Sequence, residues 1–163
     1  MSSKKNSGGK LSRSETVTVR FDPKLRYMAE LAARKHRRTL SSFVEWAVEQ
    51  GLDRVCLNDE TGITLGHMIG KLWDIDEADR LVKLALRYPE LLTHDEQLIW
   101  KLIKDNGYLW NGVYKELYWA WEIKEENLIY ERLREHWETF KKVAKGELSK
   151  DDLPKWQKEE HPF

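Results

Sequence analysis

One short segment near the N-terminal end constrains the fold more than any other part of the sequence. Residues 16–21 alternate polar and apolar side chains and are rich in β-branched residues, which predicts a strand with one buried face. No later segment shows a strand pattern of comparable quality, so the backbone groups of this strand have no predicted partner in their own chain. Pairing with the same strand of a second molecule would satisfy them symmetrically. The sequence therefore predicts a homodimer.

Two short helices are predicted directly after the strand. Asp22 and Pro23 suit the cap and first turn of a helix A, which ends in the basic run at residues 35–38. Thr39 then caps a helix B, whose apolar stripe continues to about residue 51. We expect the strand and both helices to form one core shared between two protomers. The predicted members of this dimer core are Val17, Val19, Phe21, Leu25, Phe43, Val44 and Ala47.

The order of strand, Asp-Pro, helix, basic turn and Thr-Leu-Ser cap resembles the ribbon-helix-helix family of prokaryotic DNA-binding repressors, of the Arc, MetJ and CopG kind. The resemblance covers residues 15–52. It implies that strands from two protomers pair antiparallel and enter the major groove of DNA. With the apolar side chains facing the core, the alternate side chains face the base edges. The predicted base-reading residues are Thr16, Thr18 and Arg20.

The resemblance also implies a phosphate contact at the amino end of helix B. Free amides and hydroxyls lie there at the positive end of a helix dipole, and the basic turn before them adds attraction that salt weakens. The residues assigned to this contact are Thr39, Leu40, Ser41, Lys35, Arg37 and Arg38. The chain departs from the family in three places. Arg37 stands where glycine is frequent, Ser42 stands where Glu is common, and Glu45 stands where a basic residue is common after the Phe-Val pair.

Charge is divided unevenly along a chain whose total is balanced. Residues 1–54 contain 12 Lys and Arg against 6 Asp and Glu, and residues 55–163 contain 16 against 22. We interpret residues 1–14 as a disordered basic arm and residues 15–54 as the ribbon-helix-helix domain for DNA binding and dimerisation. Residues 55–163 are interpreted as a separate tryptophan-rich domain for regulation or oligomerisation.

The predicted fold is mainly α, with an all-helical C-terminal domain. Helices are predicted after Asp76, after a capping box at residues 93–96, and from about residue 114 to residue 144. Most tryptophans are expected in the core, and Leu153, Trp156 and Phe163 could dock back onto it. The expected inward positions of the last helix are Leu117, Trp121, Leu128, Leu133, Trp137, Phe140 and Ala144.

The sequence contains no motif that indicates catalysis, a metal or a cofactor. Cys56 is the one cysteine, which excludes an intrachain disulfide, and it has no His or Cys at zinc spacing. We therefore predict no enzyme activity, no metal site and no cofactor. Because no segment approaches the ~20 apolar residues of a membrane span, a cytoplasmic protein without membrane contact is expected.

Two functions fit these features. The first is a transcriptional repressor or regulator that binds double-stranded DNA at a two-fold symmetric site, as a homodimer or as a higher oligomer through its C-terminal domain. The alternative is an antitoxin or plasmid-maintenance protein that binds a partner protein through the C-terminal helical domain. A stoichiometric partner protein that purifies with the chain would favour the alternative.

Overall fold

A computed structural model describes residues 15–115 and 117–157 of the chain. Within these ranges the protein is mainly helical, as predicted, and has two small antiparallel sheets. It forms two compact units, of which the first ends at Gly70 and the second begins at Lys71. The sequence placed this boundary earlier, after residue 54. The predicted basic arm, residues 1–14, lies outside the described residues.

The first unit contains both helices that the sequence predicted, each with its predicted cap. The Asp22 carboxylate accepts from the amides of Lys24 and Leu25 at 3.0 Å. The Thr39 hydroxyl accepts from the Ser42 amide at 3.2 Å. A hairpin and most of a third helix follow. The elements are α1 (Pro23–Lys35), α2 (Leu40–Leu52), β1 (Cys56–Asn58), β2 (Ile63–Thr64) and α3 (Leu65–Leu72).

The turn between α1 and α2 closes in a left-handed conformation without glycine. Arg37 has a φ of 52°, a region that residues with a Cβ rarely enter. Its amide donates to the Arg34 carbonyl at 3.1 Å, and the Arg38 amide donates to the Ala33 carbonyl at 2.9 Å. These two bonds form a Schellman motif, in which glycine usually occupies the position of Arg37. The turn therefore forms despite the departure from the family pattern.

The second unit packs three helices around one apolar core. Its α5 begins with the predicted capping box, in which the Thr93 hydroxyl accepts from the Glu96 amide and the Glu96 carboxylate accepts from the Thr93 amide. The elements are α4 (Glu77–Arg87), α5 (His94–Asp105), β3 (Gly112–Lys115), β4 (Tyr118–Trp121) and α6 (Tyr130–Ala144). The largest fully buried side chains are Trp110, Phe140, Ile103, Leu109, Leu133 and Val82.

The prediction of an all-helical C-terminal domain is wrong in two places. The β1–β2 hairpin was not expected, and residues 112–121 form the β3–β4 hairpin, with Tyr114 opposite Trp119. The predicted last helix begins only at Tyr130. Valine, tyrosine and tryptophan favour strands, and this preference prevails over the helical spacing that the same residues also fit.

The expected inward positions of the last helix are confirmed only in part. Leu117, expected inside, is 89% exposed beside the β3–β4 turn. Trp121 and Ala144 are half-buried. The remaining four positions are buried: Leu128, Leu133, Trp137 and Phe140.

Three tryptophan indoles hydrogen-bond to carbonyls at or just beyond the carboxyl end of α5. They are Trp110 to Ile103 at 2.9 Å, Trp121 to Lys104 at 3.1 Å, and Trp119 to Gly107 at 3.1 Å. Core placement is confirmed for Trp100, Trp110 and Trp137, whereas Trp73 is exposed. The hairpin tryptophans thus help to end a helix that precedes them in the chain.

The segment after α6 packs back onto the core of the second unit, as predicted for Leu153 and Trp156, while Phe163 lies outside the described residues. Leu153 is buried, and the Asn106 side-chain amide donates to the Pro154 carbonyl at 2.9 Å. Trp156 lies nearly parallel to two hairpin rings, with centroid distances of 4.8 Å to Trp119 and 5.7 Å to Tyr114. No described helix is long and apolar enough to cross a membrane.

Candidate nucleic-acid interface

The segment before α1 belongs to no helix or strand in the single chain. Among the described residues, none forms a hydrogen bond to the backbone of residues 16–21. The apolar side chains of this segment are open as well, since Val17 is 80% exposed and Val19 is 63% exposed. The segment therefore has the free backbone groups and the free apolar side chains that an intermolecular ribbon requires.

The residues predicted to read bases are all accessible. Thr16, Thr18 and Arg20 are exposed, and Arg20 forms no ion pair with another described residue. In the predicted dimer core, Leu25 and Ala47 are exposed, while Phe21, Phe43 and Val44 are half-buried. The predicted core of this unit is therefore open to solvent in one chain.

The exposure extends along α1 and α2 of the first unit. Ala33 is the one buried residue among residues 15–70. The exposed large apolar side chains of α1 and α2 are Leu25, Tyr27, Met28, Leu31, Val48 and Leu52. A unit of this size depends on burial of apolar surface for its stability, and here no large apolar side chain is fully buried among residues 15–70.

The amino end of α2 has the predicted groups for an anion. Thr39 caps the Ser42 amide, and the amides of Leu40 and Ser41 form no hydrogen bond within the described chain. These amides lie at the positive end of the helix dipole. Of the basic residues before them, Lys35, Arg37 and Arg38 are exposed and form no ion pair with a described residue.

An aromatic cluster lies beside this end of α2. We use the term for His36, Phe43 and Trp46, whose ring centroids are 5.1–5.9 Å apart. The Arg38 guanidinium lies 5.5 Å from the centroid of the Trp46 ring. Phe43, assigned by sequence to the dimer core, thus also contacts two rings of its own chain.

A second group of charged residues lies in the second unit and is already paired. Carboxylate oxygens of Asp74, Asp76 and Asp79 lie within 4.8 Å of one another. Lys83 donates to Asp74 at 2.6 Å and lowers the pKa of that carboxyl, while Arg134 binds Asp79. This cluster is an ion-pair network between α6, α4 and the residues before α4.

No protein-family model, curated protein or solved structure matches this chain.

Sequence reasoning did not assign His36 or Trp46 to the candidate interface. Phe43 and Trp46 are three residues apart, which places them on one helix face and could have linked them. No comparable signal exists for His36, because its position depends on the turn at Arg37.

Proposed function

We propose that the chain is a homodimeric regulator that binds double-stranded DNA at a two-fold symmetric site. The observation that carries the proposal is the incompleteness of the first unit, where Ala33 is the one buried residue among residues 15–70. Its helices are capped and its turn is closed, so apolar burial is what it lacks. A second copy supplies that burial through a self-complementary surface.

The ribbon is the second part of the proposal. Antiparallel pairing of residues 16–21 between two chains bonds backbone groups that have no partner among the described residues of one chain, and it covers Val17 and Val19. Period-two geometry then places Thr16, Thr18 and Arg20 on the opposite face. Arginine suits the two acceptors of guanine, and threonine can bond a base or contact the thymine methyl group.

The amino end of α2 supplies the third part. The free amides of Leu40 and Ser41, with the cations of the preceding turn, suit a backbone phosphate. A contact of this kind fixes the position of the dimer on the duplex without reading the sequence. Most of the affinity is then salt-dependent.

The proposal is tested by selecting DNA sites from a random pool with the full-length protein and measuring affinity by anisotropy at several salt concentrations. We expect sites with two-fold symmetry. Arg20→Ala is expected to lose preference for the selected site, by about 1–3 kcal/mol for each of two guanine contacts. The parent protein failing to bind in a salt-dependent way would contradict the proposal, as would Arg20→Ala keeping the parental preference.

Arg54→Ala is the matched control for this experiment. It removes the same charge from an exposed residue just beyond α2, whose 13 residues span about 20 Å from the Thr39 cap. We expect it to keep the parental sequence preference. A loss equal to that of Arg20→Ala would show that general charge, and not base reading, determines the preference.

A further inference from the structure

The position of Arg38 is fixed at its backbone and at its side chain. Its amide donates to the Ala33 carbonyl at 2.9 Å as part of the Schellman motif. Its guanidinium lies over the Trp46 ring, 5.5 Å from the centroid, which is within the range of a cation–π contact. Arg38 is two residues before Leu40, whose amide is free at the amino end of α2.

The Trp46 ring is itself held in place. His36 and Phe43 lie 5.1 Å and 5.6 Å from it, and all three rings are tilted against one another by 31–43°. The ring comes from the second turn of α2, so it connects the helix body with the turn that precedes the helix. It forms a fixed surface on which the long Arg38 side chain can rest.

We infer that Trp46 is a positioning residue, which holds the Arg38 guanidinium beside the amino end of α2 for contact with a DNA phosphate. The effect of Trp46 on DNA binding rests on the proposed function. Trp46 does not contact DNA in this inference. It lowers the entropy that Arg38 would lose on binding, because a long side chain already held in one place has less freedom to lose.

The first test concerns the free protein and needs no DNA. The face of an indole ring shifts nearby protons upfield in NMR spectra, so the Arg38 side-chain resonances are expected upfield of those of Arg34. Arg34, in the last turn of α1, is also exposed and serves as the reference. The upfield shift should disappear in Trp46→Leu and persist in part in Trp46→Phe, which keeps a ring.

The second test is a double-mutant cycle on DNA affinity with Arg38→Ala and Trp46→Leu. Trp46→Leu alone is expected to weaken binding about five- to tenfold, because Arg38 must be ordered in both protomers. In the Arg38→Ala background it should cause no further loss. A residue that only supported the fold would weaken both backgrounds equally. Trp46→Phe is expected to bind nearly as the parent does.

The outcomes separate this inference from the proposed function. Equal Arg38 resonances in the parent and in Trp46→Leu would overturn the inference, whatever happens with DNA. If the losses of DNA affinity from Arg38→Ala and Trp46→Leu are additive, the role of Trp46 in DNA binding is overturned. A parent protein that binds no DNA would overturn the proposed function and that same part, while the NMR result would still decide whether Trp46 holds Arg38.

Discussion

Arg134 of α6 binds the buried carboxylate of Asp79 on α4 through two nitrogens, with Nε 3.0 Å from Oδ1 and Nη2 2.5 Å from Oδ2. Asp79 is 3% exposed and is the one buried charged residue among those described. The pair joins two helices of the second unit and satisfies a carboxylate that would otherwise be buried without a counter-charge.

Arg134→Ala is expected to destabilise the second unit by about 2 kcal/mol, less than the ~3–5 kcal/mol typical of a broken buried pair. The reduction follows from the 43% exposure of the Arg134 side chain. Urea unfolding followed by tryptophan emission measures the effect, because seven of the eight tryptophans lie in the second unit. Lys142→Ala, an exposed change on the same helix, should leave the unfolding free energy nearly unchanged.

Acid should weaken the second unit through Glu77 and Asp74. The Trp137 indole donates to Glu77 at 2.9 Å and, with Lys141, holds the pKa of Glu77 below its usual 4.5. Lys83 likewise lowers the pKa of Asp74. Carboxyls with a lower pKa in the folded state contribute stability that is present above the unfolded pKa and is lost as pH falls through the folded one.

We therefore expect the free energy of unfolding to fall as pH drops below about 4.5, the ordinary pKa of Glu77. Urea titrations at several pH values measure this dependence. Glu77→Gln should flatten it, since glutamine does not titrate. Glu135→Gln, at an exposed position of α6, serves as the control and should keep the parental profile. Equal profiles for Glu77→Gln and the parent would contradict the prediction.

Arg37→Gly should stabilise the turn between α1 and α2. Arg37 has a φ of 52°, and glycine adopts this conformation without the steric cost of a Cβ. We expect a gain of about 0.5–1 kcal/mol after allowing for the greater freedom of glycine in the unfolded chain. Amide hydrogen exchange along α1 measures it. Arg37→Ala removes the same charge but keeps the Cβ, so equal protection in the two variants would argue against a conformational cause.

Val19→Asp should prevent dimerisation. Val19 is 63% exposed in one chain and, in the proposed ribbon, faces the shared core, where an unpaired carboxylate is costly. Sedimentation equilibrium should show a dimer for the parent and a monomer for the variant. Leu117→Asp introduces the same charge at an apolar residue that is 89% exposed in the second unit, and it should remain dimeric. A dimeric Val19→Asp protein would rule out the ribbon as the dimer interface.

Local signals in the sequence predicted the starts of α1, α2, α4 and α5 well, but they missed α3 and the start of α6. The side chains of Asp22, Thr39 and Thr93 each accept a hydrogen bond from an amide three residues later. Such a cap depends only on neighbouring residues, so it can be predicted without knowledge of the rest of the fold. The left-handed residue at Arg37 was not predictable in this way, because arginine has no intrinsic preference for that conformation.

The β3–β4 hairpin was missed because its turn lacks the usual signals. Lys115 and Tyr118 are paired across it, and neither glycine nor proline lies between them. The indole hydrogen bonds of Trp119 and Trp121 go to Gly107 and to Lys104 of α5, which are 12 and 17 positions away and beyond the reach of a local pattern.

One part of the candidate site was predictable from the sequence, namely the backbone of residues 16–21, which is unpaired among the described residues. A strand pattern without a second strand in the chain already predicted the open backbone of residues 16–21. The contact between Arg38 and Trp46 could not be foreseen, because it depends on how the turn at Arg37 returns the chain toward α2.

The three indoles at the carboxyl end of α5 determine how the second unit can open. The indole N–H of Trp110, of Trp119 and of Trp121 can exchange with solvent only when its hydrogen bond to a carbonyl breaks. Two of those carbonyls, of Ile103 and Lys104, lie in the last turn of α5, and the third, of Gly107, lies two residues beyond Asp105. When the hairpin separates from α5, the carbonyls of Lys104 and Gly107 lose their indole donors. We therefore expect the indole protons of Trp119 and Trp121 to exchange with solvent together, because one movement of the hairpin breaks both bonds.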